Sequence, residues 1–157
     1  MKEPNLVRWV HASINKHFDG YKGDCFLHFE GTGPRKPDAT RVYWAELRCD
    51  GPYETGGTAG EENCTFEINV LLCAAVEDNY AYRIQDLQGR FGVAFTSCIP
   101  VKRYGDQPQD DQSIVGYLQL QTKNGEKLMV STFGQIGPNT PLKQGSIEGH
   151  YHMKRRI

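Results

Sequence analysis

Two stretches of the chain space their apolar residues as an amphipathic helix does. In residues 4–18 the apolar positions recur every three or four residues, at Leu6, Trp9, Val10, Ile14 and Phe18. Pro4 suits the opening turn of this helix, and Asn5 is a good capping residue. Residues 79–95 repeat the spacing, with an apolar stripe at Tyr80, Ile84, Leu87, Phe91 and Phe95. The pattern therefore predicts two helices, each with one face for a core.

The second predicted helix contains two glycines, Gly89 and Gly92. Each glycine in a helix interior costs about 1 kcal/mol relative to alanine. We therefore expect another segment of the chain to pack closely against these two positions, or the helix to bend there.

Other stretches alternate between apolar and polar residues, as a strand with one buried face does. The clearest is 64–73, whose apolar positions are Cys64, Phe66, Ile68, Val70 and Leu72. Residues 41–49, 98–104 and 145–157 are also predicted to be strands. In the last of these the apolar face holds Ile147, Tyr151, Met153 and Ile157. Pro100 has no amide hydrogen, which places the strand 98–104 at a sheet edge or a bulge.

Two further segments carry turn or loop signals. Residues 50–62 hold four carboxylates, several glycines and no basic side chain, which predicts a long acidic loop. Residues 114–122 and 127–133 flank Lys123-Asn124-Gly125-Glu126. Because Asn-Gly favours the positive φ angles of a type I′ turn, these two segments are predicted to form a β-hairpin.

The order of these elements predicts the fold class. Helix, strands, helix and strands give an α+β fold with a mainly antiparallel sheet. Two amphipathic helices would pack on one face of that sheet, and the hairpin would be an insertion. We find no internal repeat and no linker, so residues 1–157 are predicted to form a single domain.

The composition narrows the classes of protein that fit. The 157 residues include 18 Lys plus Arg and 19 Asp plus Glu, for a formal net charge of −1, so a strongly basic nucleic-acid-binding domain is not expected. No apolar run approaches the roughly 18 residues that span a bilayer. The first residues lack the apolar run of a signal peptide. Five cysteines without a Cys-x-x-Cys pair predict reduced thiols in the cytosol.

Few residues form patterns typical of catalysis or metal binding. No Gly-x-Ser-x-Gly nucleophile motif is present. His150 and His152 share one face of the last predicted strand, but a metal site needs three or four ligands, so we expect no metal and no cofactor. The alternative of a small cytosolic enzyme or ligand-binding domain rests on Cys64, Cys73 and these two histidines, because a cysteine nucleophile needs a nearby histidine.

In the order and lengths of its elements the chain resembles the tail-terminator proteins of long-tailed bacteriophages. The resemblance begins with the amphipathic helix from Asn5 to Phe18, the strand 41–49 and the acidic loop that follows it. It continues through the long strand 64–72, the helix 79–95 and the strand that ends in Lys102-Arg103-Tyr104-Gly105. The last matching element is the strand 146–157.

This resemblance implies a homohexameric ring with a structural role and no catalysis. One face of the ring would dock on the tail tube protein and the other on a head-completion or neck protein, with the sheath protein as a further partner. DNA would pass through the lumen without specific binding. The protein would occur in the host cytoplasm during assembly and then in the virion, and not in a membrane. The alternative within the same structural class is another neck or baseplate module, such as a head–tail connector.

We predict a subunit or tube interface formed by nine residues. The acidic loop would meet a neighbour through the aromatic ring of Tyr53, a residue type enriched at interface hot spots. The basic residues would face an acidic loop of another subunit. The full set is Tyr53, Glu54, Glu61, Glu62, Lys102, Arg103, Tyr104, Arg155 and Arg156.

Overall fold

A computed structural model describes residues 4–23, 25–29, 43–55, 61–75, 80–120, 129–135 and 142–156 of the chain. In these ranges the elements are α1 (Leu6–Asp19), β1 (Phe26–Phe29), β2 (Tyr43–Thr55), β3 (Glu61–Ala75), α2 (Tyr80–Thr96), β4 (Ile99–Lys102), β5 (Ile114–Leu120), β6 (Met129–Gln135) and β7 (Leu142–Arg156). The predicted α+β class is confirmed.

The strands form one mixed sheet with the order β1-β2-β3-β7-β5-β4, and β6 also pairs with β7. Among the described strands, the β1–β2 pair is parallel and the remaining pairs are antiparallel. The long strand β3 lies between β2 and β7 and pairs with both. β4 ends this path, so Pro100 lies on an edge strand as the sequence predicts.

The core lies between one face of this sheet and both helices. The alternation predicted on β3 is confirmed, because the side chains of Cys64, Phe66, Ile68, Val70 and Leu72 are at most 1% exposed. The apolar stripe of α1 and the residues Ile84, Leu87, Phe91 and Phe95 of α2 join these residues in one buried cluster. Full burial of such a side chain contributes roughly 1.5–3 kcal/mol. The helices therefore cover one face of the sheet, as predicted.

An aromatic contact chain fastens the two helices to β7. The ring of Phe18 on α1 meets the ring of Phe95 on α2 edge-on, with centroids 4.9 Å apart. Phe95 in turn lies 6.0 Å from Tyr151 on β7, and the Tyr151 hydroxyl donates a hydrogen bond to the Phe95 carbonyl. Burial raises the pKa of Tyr151, and the nearby Cys98 raises it further. The phenol therefore stays neutral and acts as a donor inside the core.

The start of α1 differs from the prediction. The side chain of Asn5 makes no capping hydrogen bond, because its backbone is already helical at φ −89° and ψ −6°. Its carbonyl accepts the amide of Trp9 at 3.0 Å. A capping side chain needs an extended backbone at that position, so Asn5 serves as the first helical acceptor instead.

The long acidic loop predicted at 50–62 is wrong over most of its length. β2 continues to Thr55 and β3 begins at Glu61, with a bulge between Asp50 and Tyr53 that takes up Gly51 and Pro52. Gly51 has a φ of +118°, and a Cβ there would lie 2.8 Å from the carbonyl oxygen of Thr65. The glycine and proline therefore mark a bulge in a continuing strand.

The two segments around Asn124-Gly125 also differ from the predicted hairpin. In the described residues β5 and β6 pair with β7 rather than with each other. Leu120 lies opposite Tyr151, and Met129 lies opposite Glu148 further along the same edge. With 15 residues, β7 is long enough to receive the two short strands one after the other. The turn at 124–125 lies outside the described residues.

Of the two alternatives expected at Gly89 and Gly92, the close packing of another segment is wrong for the described residues. Apart from its chain neighbours and the backbone of α2, an added Cβ at either position would meet no described atom within 4 Å. Nothing in the described fold therefore requires these glycines, and each lowers the stability of α2.

We expect Gly89→Ala to raise the free energy of unfolding by about 1 kcal/mol, because alanine restricts the unfolded chain and fits the open space around this position. Urea denaturation followed by circular dichroism measures the change. Gly51→Ala is the matched control and should destabilise, since its positive φ and the Thr65 carbonyl leave no room for a methyl group. A destabilised Gly89→Ala protein would show that an unseen neighbour occupies this face.

We expect stability to fall above about pH 10, where the tyrosines of an unfolded chain ionise. Because the folded pKa of Tyr151 is raised, its stabilising contribution is complete below the unfolded pKa and is lost as the pH climbs toward the folded value. Tyr151→Phe should lose about 1 kcal/mol at pH 7 with its hydrogen bond, and should show a shallower decline from pH 9 to 11.

The matched control is Tyr117→Phe, because the Tyr117 side chain is 51% exposed. Urea unfolding at each pH measures both variants. If Tyr117→Phe flattened the alkaline decline as much as Tyr151→Phe, the assignment to the buried phenol would be refuted.

Candidate functional site

Six of the nine predicted interface residues lie at one end of the sheet, which we call the sheet tip (residues 53–55, 61–63 and 154–156). Glu61 lies directly opposite Arg156, and Glu62 directly opposite Arg155. Opposite charges placed across an antiparallel pair favour that pairing. These two acidic and two basic interface residues are therefore cross-strand neighbours in register within one chain. Glu54, also at the sheet tip, lies opposite Cys64 in register.

Tyr53 is the exposed aromatic residue of the sheet tip. Its side chain is 53% exposed, and its carbonyl accepts a hydrogen bond from the Thr65 hydroxyl at 3.3 Å. The bulge at Gly51 precedes it, and register with β3 resumes at Tyr53. The backbone is thus held in place while the ring remains available for contact.

The other three predicted residues, Lys102, Arg103 and Tyr104, leave the edge strand β4 beside α1. The Lys102 amide donates to the Ser13 hydroxyl at 2.9 Å, and that hydroxyl lies 3.4 Å from the Lys102 carbonyl. Ser13 is 2% exposed, so these contacts satisfy a buried polar group. The end of β4 is therefore covered by α1 of the same chain.

Arg103 is held by contacts within its own chain. Its guanidinium carbon lies 5.5 Å from the centroid of the Trp9 ring, a cation–π arrangement. It also approaches Asp111 at 3.9 Å. The acidic loop that Arg103 meets in this structure is thus the one that follows it in sequence. A contact between Arg103 and another subunit stays a prediction.

Asp110 is the residue of this region that the sequence did not single out. Both of its carboxylate oxygens accept from Arg8 Nη2 at 2.9 Å, and Oδ1 also accepts from Trp9 Nε1 at 2.6 Å. Oδ2 accepts from the Gln107 amide at 3.0 Å. Its side chain has no exposed surface. We call Arg8, Trp9, Gln107 and Asp110 the α1–loop clamp.

The Asp110 carboxylate of the clamp is charged and is stabilised by hydrogen-bond donors. Burial alone would raise the pKa of Asp110, but the hydrogen bonds from Trp9 and Gln107 and the charge of Arg8 outweigh it and lower the pKa below its ordinary value. In the same loop, hydrogen bonds from Ser113 lower the pKa of Asp111. Both groups are carboxylates at neutral pH, and the loop is fixed to α1.

A groove lies beside the clamp. Its volume is about 430 Å³, and its lining residues are Ala12, Asn15, Lys16, Asp19, Phe29 and Tyr104. Tyr104, a predicted interface residue, and Phe29, which is 39% exposed, provide aromatic surface. The Asp19 carboxylate is paired with Lys22 at 2.9 Å. Lys16 makes no ion pair within the described part of the chain.

The two cysteines behind the enzyme alternative, Cys64 and Cys73, lie far apart along β3. Cys64 belongs to the buried cluster under the helices, whereas Cys73 lies nine positions further along β3, about 30 Å away at the usual rise of a strand. None of the five cysteines forms a disulfide bond. His150 and His152 lie opposite Glu67 and Thr65 in register.

The described residues contain no group of three or more His, Cys, Asp or Glu side chains placed to hold a metal ion. None of the helices in this part of the chain combines the length and the apolar character needed to cross a membrane.

Comparison with known proteins identifies a fold and no family. No family profile and no curated protein matches the chain. Solved structures do match. One of them, a protein designated only by a sequence identifier, aligns over 94% of this chain and 94% of its own with a TM-score of 0.54 and 10% sequence identity. At that identity the likeness shows a shared fold alone.

We expect the α1–loop clamp to fail in acid. Because the folded pKa of Asp110 is lowered, its contribution is complete above the unfolded pKa near 3.9 and is lost as the pH falls through the lower folded value. Asp110→Asn should destabilise the protein at pH 7, since an amide nitrogen would face donors. Its stability should then fall less steeply than that of the wild type below pH 4.

Chemical unfolding at pH 7 and pH 3, followed by tryptophan fluorescence, measures this difference because Trp9 is part of the clamp. Asp106→Asn, an exposed acid of the same loop, is the matched control and should follow the wild type. Equal acid sensitivity of wild type and Asp110→Asn would exclude the clamp as the cause.

Proposed function

We propose that this protein is a structural subunit of the tail-terminator type. Copies of the chain associate into a homohexameric ring that closes a phage tail tube and presents a surface to a head or neck protein. DNA passes through the lumen without specific binding. The sheath protein is a further partner in tails that carry one.

The sheet tip is the observation that carries this proposal. The three central strands β2, β3 and β7 run for 13, 15 and 15 residues. Cys64 and Met153 form a buried pair of β3 and β7 near this end, and the strands continue past it. Such an extension, with an exposed Tyr53, suits a contact with another subunit, because aromatic anchors on rigid elements form strong interface contacts.

A second apolar surface supports self-association. Lys102 lies opposite Ile114, and Pro100 lies opposite Tyr117, with a bulge in between. Residues opposite each other share a face, so the bulge places Ile114 and Tyr117 on the same face of the sheet, the one without helices. They are 49% and 51% exposed. A ring of identical subunits needs at least two different contact surfaces on each copy.

The order of elements also supports the proposal. Tail terminators are the family that the sequence resembles in its helix, strand, helix and strand order, and the described fold keeps that order with both helices on one face. The similar solved structure supports the fold and adds nothing on function.

We expect the purified chain to form a six-fold ring in a concentration-dependent way, and native mass spectrometry measures the stoichiometry. Added to tail tube protein during polymerisation, it should cap the tubes at a defined length, as seen by electron microscopy. A chain that stays monomeric at every concentration and leaves tube length unchanged would refute the proposal. A ring that binds heads but leaves tube length unchanged would instead identify a head–tail connector.

A further inference from the structure

We propose that Glu67, His150 and His152 form a binding site for one Zn²⁺ ion on the face of the sheet without helices. The ion joins β3 to β7 next to the sheet tip. All three ligands come from one chain, so this inference does not depend on the proposed ring.

The pairing of β3 with β7 brings these three residues to one place on the sheet. His150 lies directly opposite Glu67, and His152 lies directly opposite Thr65. Because Phe66 is buried beneath the helices, its neighbours Thr65 and Glu67 belong to the other face, and so do the residues paired with them. The two histidines are placed by this backbone register, since their side chains lie outside those that the structure describes. The sequence offered two ligands, and the register adds the third.

The spacing of the three positions suits a single ion. Residues directly opposite each other in an antiparallel pair have Cβ atoms about 4.5–5.5 Å apart, and diagonal neighbours are about 7–8 Å apart. Alternate residues on one face of a strand are separated by about 7 Å. Glu67, His150 and His152 therefore form a triangle small enough for their donor atoms to meet one Zn²⁺ at bond lengths of about 2.0–2.2 Å.

The donor atoms select the metal. Two imidazoles and one carboxylate are a ligand set that proteins use for Zn²⁺, and three protein ligands leave a fourth position for water. Imidazole nitrogen also suits Cu²⁺ and Ni²⁺, whereas Mg²⁺ and Ca²⁺ take oxygen ligands. We therefore expect the site to bind Zn²⁺ and to discriminate against Mg²⁺.

Carboxylates surround the site and favour a divalent cation there. Asp50 lies opposite Glu67 on the β2 side. Glu148 lies opposite Asn69, two positions before His150 on the same face. Like charges placed directly opposite each other oppose strand pairing. A divalent cation at Glu67 offsets the repulsion from Asp50, so metal binding and the pairing of β2 with β3 support each other.

Two basic residues lie near this group without reversing its charge. Arg48 donates from Nε to the Glu46 carboxylate at 2.7 Å, so an acid of its own strand offsets its charge. Lys154 lies opposite Asn63, two positions beyond His152. Because the acids around the site outnumber these bases, the local charge stays negative and attracts a cation.

Isothermal titration calorimetry of the metal-free chain with ZnCl₂ tests the site. A Cys98→Ser background removes the exposed thiol, which is itself a potential zinc ligand. We expect one Zn²⁺ per chain. His150→Ala, His152→Ala and Glu67→Gln should each raise the Kd about tenfold or more, because even the loss of a residue that only orients a metal ligand lowers affinity by about tenfold.

His28→Ala is the matched control. His28 lies opposite Glu46, so it belongs to the same kind of cross-strand His–Glu pair. The residue two positions before it is Phe26 and not a second histidine. This variant should therefore bind Zn²⁺ as the wild type does. Circular dichroism verifies that every variant is folded.

Co²⁺ in place of Zn²⁺ identifies the ligands. The bound ion should show the visible absorption of a four- or five-coordinate centre and no thiolate charge-transfer band, because none of the ligands is a cysteine. These signals should be lost in His150→Ala and kept in His28→Ala.

Any of three results would refute the site: absence of Zn²⁺ binding, Zn²⁺ binding that survives in both histidine-to-alanine variants of β7, or Mg²⁺ binding as tight as that of Zn²⁺. The second result would assign the metal to other groups of the chain, and the third would indicate a cluster of carboxylates. None of them bears on ring formation, which native mass spectrometry of the metal-free chain measures separately.

Discussion

The structure depends on the burial of one face of β3 beneath two helices. β3 is the strand that pairs along its length on both sides, and its inward residues are almost completely buried. α1 and α2 can cover this face together only if they also fit each other, which they do through Phe18 and Phe95. Tyr151 then ties the end of α2 to β7. Loss of this aromatic contact chain would expose the sheet face and release both helices.

The position of the groove depends on that core through α1. Apolar burial holds one face of α1 against the core. Hydrogen bonds of Ser13 and of the α1–loop clamp join α1 to the end of β4 and to the loop that follows β4. Along the chain, Tyr104 lies between Lys102, which bonds to Ser13, and Gln107, which bonds to Asp110. Its position in the groove is therefore fixed on both sides. A buried carboxylate with several donors is costly to disrupt, because removal of the acceptor leaves those donors unsatisfied. The polar clamp therefore gives the groove its shape, and the apolar core gives it its support.

The parts of the fold predicted from sequence are those that a repeating pattern determines. The period-two alternation from Cys64 to Leu72 and the helical spacing from Leu6 to Phe18 each reflect one buried face, so each could be read locally. The loop predicted at Gly51-Pro52 is wrong because the same two residues mark either a loop or a bulge. Only pairing with β3 decides between these, and that pairing is not local.

The candidate site was less predictable for the same reason. Asp110 and Trp9 are 101 positions apart in sequence, and no spacing rule connects them. One signal was available: a tryptophan on a buried stripe needs an acceptor for its indole N–H. That rule predicts that an acceptor lies near Trp9, but it does not identify which of the loop carboxylates is that acceptor. Likewise, Glu62 and Arg155 could each be placed near a strand end from sequence, but their register across β3 and β7 depends on the whole sheet.

A rigid sheet tip is what a closed ring of identical subunits requires. In a head-to-tail contact, a small error in the angle between neighbours accumulates around the ring and turns it into an open helix. Tyr53 is not carried on a free loop: its backbone continues β2, pairs with β3 and follows a bulge fixed by Gly51. The groove is equally fixed through α1. In the proposed ring, an aromatic side chain carried on the paired strands β2 and β3 would therefore set the angle between subunits more narrowly than two long acidic loops could.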